Sequence, residues 1–190
     1  FLFKFGGGLH YTILAPLGEQ LFPLWMVGLL VGGCSFVQLL LDVPAGHLLD
    51  RYGYLRFLKL STFLFLFAGI FFILGLNEWT YVLSLLLSIA GWLFFMPGVN
   101  AYALSFAPRE AAGSFMAMRD VFNSIGIVFS SAALPFVLLL SVREMGVIVF
   151  VLLLAALAML YLSPKDRVSV HAEKKIETHH HYIHRHPISR

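Results

Sequence analysis

Six long apolar runs dominate the sequence and restrict the possible folds more than any other feature. A helix needs about 20 mostly apolar residues to cross a bilayer, and backbone inside lipid must satisfy its own hydrogen bonds, which leaves helices or closed barrels. The runs are continuously apolar rather than alternating, so helices are favoured. The sequence predicts an all-α membrane protein with six transmembrane helices. The predicted spans are residues 1–17, 24–41, 55–76, 80–107, 113–140 and 145–162.

The composition excludes an ordinary soluble domain. Of the 190 residues, 59% are hydrophobic and 12% are charged, whereas about a quarter of the residues in soluble domains are charged. The lone Cys34 lies within an apolar run and is expected to pack as a small apolar side chain. The first run is short and the chain starts with Phe1, so we expect the start of the protein to be missing.

Basic residues are distributed unequally between the two ends of the predicted helices. One side carries nearly all of them, including Lys4 at the chain start, while the other side has only Arg143. Loops rich in lysine and arginine stay in the cytoplasm. We therefore expect a multi-pass protein of the plasma (inner) membrane with both ends cytoplasmic, and with Trp25 and Trp79 near the outer interface. The remaining residues of the basic side are Arg51, Arg56, Lys59, Arg109, Lys165, Arg167, Lys174, Lys175, Arg185 and Arg190.

The predicted link between helices two and three has an unusual pattern of glycine and charge. It reads "GHLLDRYG", with Gly46, Asp50, Arg51 and Gly53 at fixed spacing, and Pro44 comes just before it. Glycine permits tight turns and close approach of helices. A carboxylate at the membrane surface can meet a helix N-terminus or a basic side chain. Such a link can act as a latch between two helix bundles.

This pattern resembles the signature loop of the major facilitator superfamily, "G-x-L-x-D-R-x-G" followed by basic residues. The stretch "PGVNAYALSFAPREAAGSFMAM" is similar to that family's exit from helix four and entry to helix five. The resemblance implies twelve helices in two halves, each made of two inverted three-helix repeats, with a substrate site between the halves and transport by alternating access. It also implies gating roles for Gly46, Asp50, Arg51, Gly53 and Arg56.

Three departures from the family pattern concern ion coupling. Tyr54 and Leu55 stand where two basic residues usually follow the last glycine, and Arg56 comes one step late. Helix four lacks the "R-x-x-Q-G" pattern of proton coupling. In helix five, Pro135 follows leucine rather than the glycine seen in many antiporters. The sequence therefore gives no support for proton coupling or antiport.

The chain accounts for one six-helix half of such a fold. A truncated gene model, a natural half that pairs with itself, and one domain of a longer protein are all possible, and we expect a fragment. Either half would fit. The predicted domains are a transmembrane bundle over residues 1–162 and a polar, His-rich, disordered segment over 163–190, which is either the central cytoplasmic loop or a tail.

Five histidines crowd residues 179–186 of this polar segment. Imidazoles this close can bind Zn²⁺, Ni²⁺ or Cu²⁺, so a metal-handling loop is one hypothesis. No carboxylate or cysteine cluster accompanies them to close a site. We favour a solvated segment whose basic residues lie near anionic lipid.

Polar residues at membrane depth are the candidate substrate ligands, because they are costly in lipid and tend to face a bundle interior or water. We expect the substrate to contact His10, Tyr11, Asn100, Arg119 and Asn123. The last two are four residues apart and share a helical face. Arg119 would attract an anionic or polar solute. The alternative is that it snorkels to the interface and pairs with the neighbouring aspartate.

Small residues also predict helix packing. Gly28 and Gly32 have the spacing of a close approach between membrane helices. Helix four has small and polar residues spaced along one face. These residues are Ser84, Ser88, Gly91, Gly98 and Tyr102.

The favoured function is secondary active transport of a small solute across the bilayer, with a second six-helix half from the same longer chain or from a second copy. A non-transporting scaffold or receptor-like protein is the alternative, since polar residues are sparse in the helices. An enzyme is not expected, because the helices lack paired carboxylates, a His-Ser pair or a metal triad. No cofactor, metal or nucleic-acid partner is expected. An aromatic-rich cavity would suit an apolar or amphipathic solute.

Overall fold

The computed structural model describes residues 1–107 and 109–163, and within them the chain forms six α-helices and no strand, which confirms the all-α prediction. A short 3₁₀ turn, Arg109–Ala111, precedes the fifth helix. The predicted polar segment lies outside the described residues except for Ser163. The helices are α1 Leu2–Gly18, α2 Leu24–Tyr52, α3 Tyr54–Leu74, α4 Glu78–Phe106, α5 Ala112–Val137 and α6 Val142–Leu162.

Five of these helices, α2 to α6, are long and apolar enough to cross a membrane. The remaining helix, α1, has 17 residues. At 1.5 Å per residue it extends about 26 Å, somewhat less than a hydrocarbon core of about 30 Å. The described chain is therefore a multi-pass membrane protein.

Helices α4 and α6 begin earlier than predicted, and each begins with a capping box. The Asn77 side chain accepts a hydrogen bond from the Thr80 backbone N–H, and the Thr80 hydroxyl accepts one from Asn77 N–H, both at 2.9 Å. Ser141 and Glu144 form the same reciprocal pair before α6. Each pair satisfies backbone donors that have no partner inside the helix. The helices therefore begin two or three residues before their predicted starts at 80 and 145.

The predicted end of helix two, at residue 41, is wrong. The helix continues through Pro44 to Tyr52, and Gly53 alone separates it from α3. Proline removes one backbone hydrogen bond but does not have to end a helix whose neighbouring bonds remain. Gly53 has φ 94°, a left-handed conformation that glycine adopts without steric cost. The predicted loop is therefore the last two turns of α2 plus a one-residue break.

The core lies where α3 packs against α4 and α6, and where α1 packs against α5 and α6. The predicted small face of α4 meets α3. A Cβ atom placed on Gly91 would lie 2.5 Å from a ring carbon of Phe65. The Ser61 hydroxyl donates to the Gly91 carbonyl at 2.8 Å, and the Ser84 hydroxyl donates to the Ala68 carbonyl at 3.0 Å. Small residues and hydroxyl donors thus bring α3 and α4 together.

In contrast, α2 is largely unpacked within the described chain. It contacts mainly α4, and only Val27, Ala45 and Leu49 are buried among its 29 residues. No described atom lies within 4 Å of a Cβ placed on Gly28 or Gly32. The predicted close packing at these glycines is therefore not made by residues 1–107 or 109–163.

Candidate functional site

Lys4 lies inside the helix bundle rather than at its basic end. Its side chain is 7% exposed. The Nζ atom lies 3.4 Å from the Met96 sulfur and 4.3 Å from the centroid of the Trp92 ring. Both partners are well inside α4, so α1 begins beside the middle of its neighbours. A basic residue close to the chain start is therefore a membrane-depth cation.

Gly126 of α5 allows α1 to come close at this level. A Cβ atom placed on Gly126 would lie 2.9 Å from the Lys4 Cβ and 3.3 Å from the Phe5 backbone nitrogen. Two of the three nearest atoms, Phe1 O and Phe5 N, belong to the backbone, so a larger residue could not be accommodated by a side-chain rotation alone. Further along the same stripe, Ser130 faces Gly8, with its hydroxyl 2.9 Å from a Cβ placed there. Gly126 and Ser130, four residues apart on α5, therefore form part of its contact with α1.

Arg119 lies two turns before Gly126 on this side of α5 and retains unused donors. Its Nη2 forms an ion pair with Asp120, as expected for a local pair. Its Nε and Nη1 atoms are buried and have no hydrogen-bond partner among the described residues. The Arg119 side chain is 19% exposed and that of Asp120 58%. Arg119 is on the side of α5 that contacts Lys4 and Phe5 of α1 at Gly126. Asn123, half-buried, lies one turn from Arg119 toward Gly126.

His10 and Tyr11, predicted to share a cavity, lie in different surroundings. The His10 ring is fully buried and stacks on Phe72 with centroids 5.0 Å apart. Its Nε2 lies 2.7 Å from the Ser88 hydroxyl oxygen, so the expectation that the helices lack a His-Ser pair is wrong. The Ser88 hydroxyl already donates to the Ser84 carbonyl at 2.6 Å, so Nε2–H is the donor to Ser88. The buried Nδ1 then accepts no hydrogen bond from the described residues. His10 thus joins α1 to the α3–α4 core.

Tyr11 is 38% exposed and meets the Trp92 ring edge-on, with centroids 6.5 Å apart. It is seven residues after Lys4, so the two residues share a side of α1. On α4, Asn100 is one turn beyond Met96 along the same face, and its buried Oδ1 has no described partner. We retain Tyr11, Asn100, Arg119 and Asn123 as candidate site residues, whereas His10 is packed in the core. The contact between Lys4 and Trp92 adds these two residues to the candidates.

The residues of the predicted gate lie at the junction of α2 and α3. The Tyr54 hydroxyl donates to an Asp50 carboxylate oxygen at 3.0 Å. The Arg51 guanidinium lies 5.3 Å from the centroid of the Tyr52 ring. Both charged residues are exposed, whereas the preceding residue, Leu49, is 1% exposed. The two charges at the end of α2 are therefore accessible. Gly46, one turn earlier, has open space beside it, and Arg56 lies in the first turn of α3.

Sequence reasoning missed Lys4 because it counted the residue with the cytoplasmic charges. A signal was available. Lys4 is embedded in "FLFKFGGGLHY", with apolar residues and glycines on both sides and no other charge. A charge so placed is more consistent with a position inside the bundle than with a loop. Nothing local in the sequence singles out Trp92 from the neighbouring aromatic residues.

The fold defines a multi-pass α-helical membrane protein, in which Lys4 is buried and Arg119 largely buried among the helices. The family model described as Major Facilitator Superfamily matches residues 1–189. The chain therefore belongs to the major facilitator superfamily, a family of membrane transporters, and the resemblance inferred from the loop motif is confirmed. No curated protein matches the chain.

Proposed function

We propose that this protein carries out secondary active transport of a small solute by alternating access. The observation that carries the proposal, beside family membership, is that the cations Lys4 and Arg119 lie on transmembrane helices with little exposure, and that Arg119 has unused donors. Charged residues within transmembrane segments are costly and mark substrate or ion pathways. We assign substrate contact to Tyr11, Asn100, Arg119 and Asn123. His10 was included by sequence, and its burial favours a supporting role behind the site.

Inverted three-helix repeats are supported by the pattern of helix contacts. The five most extensive contacts are α3–α4, α3–α6, α1–α5, α2–α4 and α1–α6. Two three-helix repeats would make α1 equivalent to α4, α2 to α5 and α3 to α6. Under this equivalence the α1–α5 contact corresponds to α2–α4, and the α1–α6 contact corresponds to α3–α4. The α3–α6 contact is its own image. This symmetry of pairing is what two repeats related by a pseudo-two-fold axis would give.

A second six-helix half is proposed to complete the site, either from the same longer chain or from a second copy. The proposal is supported by the low burial of α2 and α5, each with three buried residues, against nine in α3. The exposed stripe of Gly28, Gly32 and Gly33 on α2 would permit a close approach of another helix. Lipid would cover the remaining apolar surface.

The proposed gate consists of Gly46, Asp50, Arg51, Gly53 and Arg56. Exposed charges at the end of α2 could contact the other half in one closed state and release it in the next. The one-residue break at Gly53 would transmit this contact to α3. The uneven distribution of basic residues supports a plasma-membrane protein with both ends cytoplasmic. Trp25 and Trp79 are 70% and 79% exposed and lie in the first turns of α2 and α4, which fits an outer interface.

Alternating access can be tested without knowing the substrate. In a Cys34→Ala background of the complete protein, a single cysteine is placed at Ala117, near the start of α5, or at Ala132, near its end; both residues are exposed. A membrane-impermeant thiol reagent is then applied to sealed right-side-out and inside-out vesicles. We expect Ala117→Cys to react from the cytoplasmic face and Ala132→Cys from the outer face, each incompletely on short exposure. If one position is never labelled from either face, the protein does not exchange between open states. That outcome would favour the scaffold hypothesis.

A further inference from the structure

The ammonium group of Lys4 is buried without a counter-charge in the described residues. Its near neighbours are the Met96 sulfur, the Trp92 ring and, at 5.8 Å, the Phe95 ring. No carboxylate of residues 1–107 or 109–163 forms an ion pair with it. Contacts with aromatic rings and a thioether stabilise a cation, but they compensate only part of the cost of removing an ammonium group from water.

The charges around this ammonium do not balance. The only charged side chains on α1, α4 and α5 are Lys4, Glu78, Arg119 and Asp120. Glu78 is at the first position of α4, beside the Asn77 cap and far along the helix from Met96. Lys4 and Arg119 are therefore opposed by Asp120 alone, which leaves one positive charge. The buried Nε and Nη1 atoms of Arg119 are hydrogen-bond donors that have no partner among the described residues.

Aromatic rings lie beside the Lys4 ammonium. Trp92 meets Phe3 and Phe95 edge-on, with centroids 6.0 and 5.6 Å away. The Tyr11 ring also packs perpendicular to Trp92 and is 38% exposed. A ligand that reaches Lys4 from this side would therefore place its body against flat apolar surfaces that bind aromatic groups well.

We propose that Lys4 and Arg119 together bind the charged group of an organic monoanion whose apolar or aromatic body lies against Trp92 and Tyr11. A single charge on the ligand would neutralise the one unbalanced positive charge, and hydrogen bonds between an ionised donor and an ionised acceptor are the strong ones. A polyanion would leave a net negative charge among aromatic rings. This inference rests on the proposed transport function, for which it names the substrate class.

The test uses the complete protein in nanodiscs and isothermal titration with 4-bromobenzenesulfonate, a permanent monoanion. Its neutral analogue, 4-bromobenzenesulfonamide, has nearly the same shape. Lys4→Met replaces the ammonium by an apolar group of similar length, and Lys4→Arg restores a cation. Lys59→Met is the matched control, because Lys59 also lies over an aromatic ring, with Nζ 4.1 Å from the Tyr161 centroid. Thermal unfolding of each variant identifies any that fails to fold.

We expect the wild type to bind the sulfonate and to bind the sulfonamide at least tenfold more weakly. Lys4→Met should weaken sulfonate binding by about tenfold or more, Lys4→Arg should restore most of it, and Lys59→Met should leave it unchanged. Equal affinity for the two analogues, unaltered binding by folded Lys4→Met protein, or no sulfonate binding by the wild type would each overturn the proposal. Preference for 4-bromobenzylammonium would also overturn it, since a carboxylate of the other half would then neutralise Lys4.

The failure of this inference is distinguishable from failure of the transport proposal. The protein could bind the sulfonate through Lys4 and yet show no thiol labelling from one of the two faces. That result would support the anion site and contradict alternating access. Labelling from both faces without sulfonate binding would retain alternating access and remove the anion site.

Discussion

Replacing Gly146 by alanine should separate α6 from α3. A Cβ atom at this position would lie 2.9 Å from the backbone nitrogen of Ile73, 2.9 Å from its Cγ1 and 3.1 Å from the Phe72 Cβ. The first of these neighbours is backbone, so no rotamer change can relieve the contact and the helices must move apart. Overpacking of this kind costs about 1 to 3 kcal/mol. Alanine also favours the helix over glycine by about 1 kcal/mol, which partly masks the loss.

Gly69→Ala is the matched control for this effect. Gly69 lies in the same α3–α6 contact, but its added Cβ would be 3.7 Å from the nearest atom, Val149 Cγ1, which is an ordinary contact distance. Both substitutions gain the same helix propensity, so the difference between them isolates the clash. We expect Gly146→Ala to have a free energy of unfolding about 1 to 3 kcal/mol lower than Gly69→Ala.

Unfolding in mixed micelles with increasing SDS, followed by circular dichroism, measures this difference. Gly69→Ala should unfold at or slightly above the wild-type SDS midpoint, and Gly146→Ala below it. If the two variants unfold together, α3 and α6 are not in the close contact described, and the packing argument fails.

Two further predictions concern the site. His10→Ala should lower the free energy of unfolding by about 2 to 4 kcal/mol, because a fully buried ring and its hydrogen bond to a serine are lost. Unfolding in SDS measures this loss. An unchanged SDS midpoint would place His10 outside the core. Gly126→Ala should displace Lys4, whose Cβ would be 2.9 Å away, and weaken arylsulfonate binding in the titration, whereas Gly113→Ala, with open space, should not. Equal binding by these two glycine variants would contradict the α1–α5 contact.

Sequence alone could predict three features: the helical class, the number of helices in the described chain and the small face of α4. Each depends only on the composition of one segment or on the spacing of residues within it. The Ser84 and Gly91 positions show this, since a helical repeat alone places them on one face. The end of α2 could not be predicted, because proline and glycine are each compatible with a turn. Only the backbone conformation distinguishes the continuous helix at Pro44 from the break at Gly53.

The site was less predictable because it depends on how far neighbouring helices are shifted along their axes relative to one another. Lys4 is near the chain start in sequence, yet it is packed beside Met96 and Gly126 in the middle of their helices. That register is set by contacts between distant segments. Likewise, Tyr11 and His10 are adjacent but about 100° apart around α1, so one faces the core and the other remains exposed.

The most direct test of alternating access is the effect of Asp50→Asn on the two thiol positions. This substitution removes the charge at the end of α2 while keeping its shape, and we expect near-normal expression with reduced transport. If Asp50 stabilises one closed state, the labelling rate should rise for one of Ala117→Cys and Ala132→Cys and fall for the other, because the open states exclude each other. Rates that remain unchanged at both positions, or that change in the same direction, would contradict a two-state transporter gated at this junction.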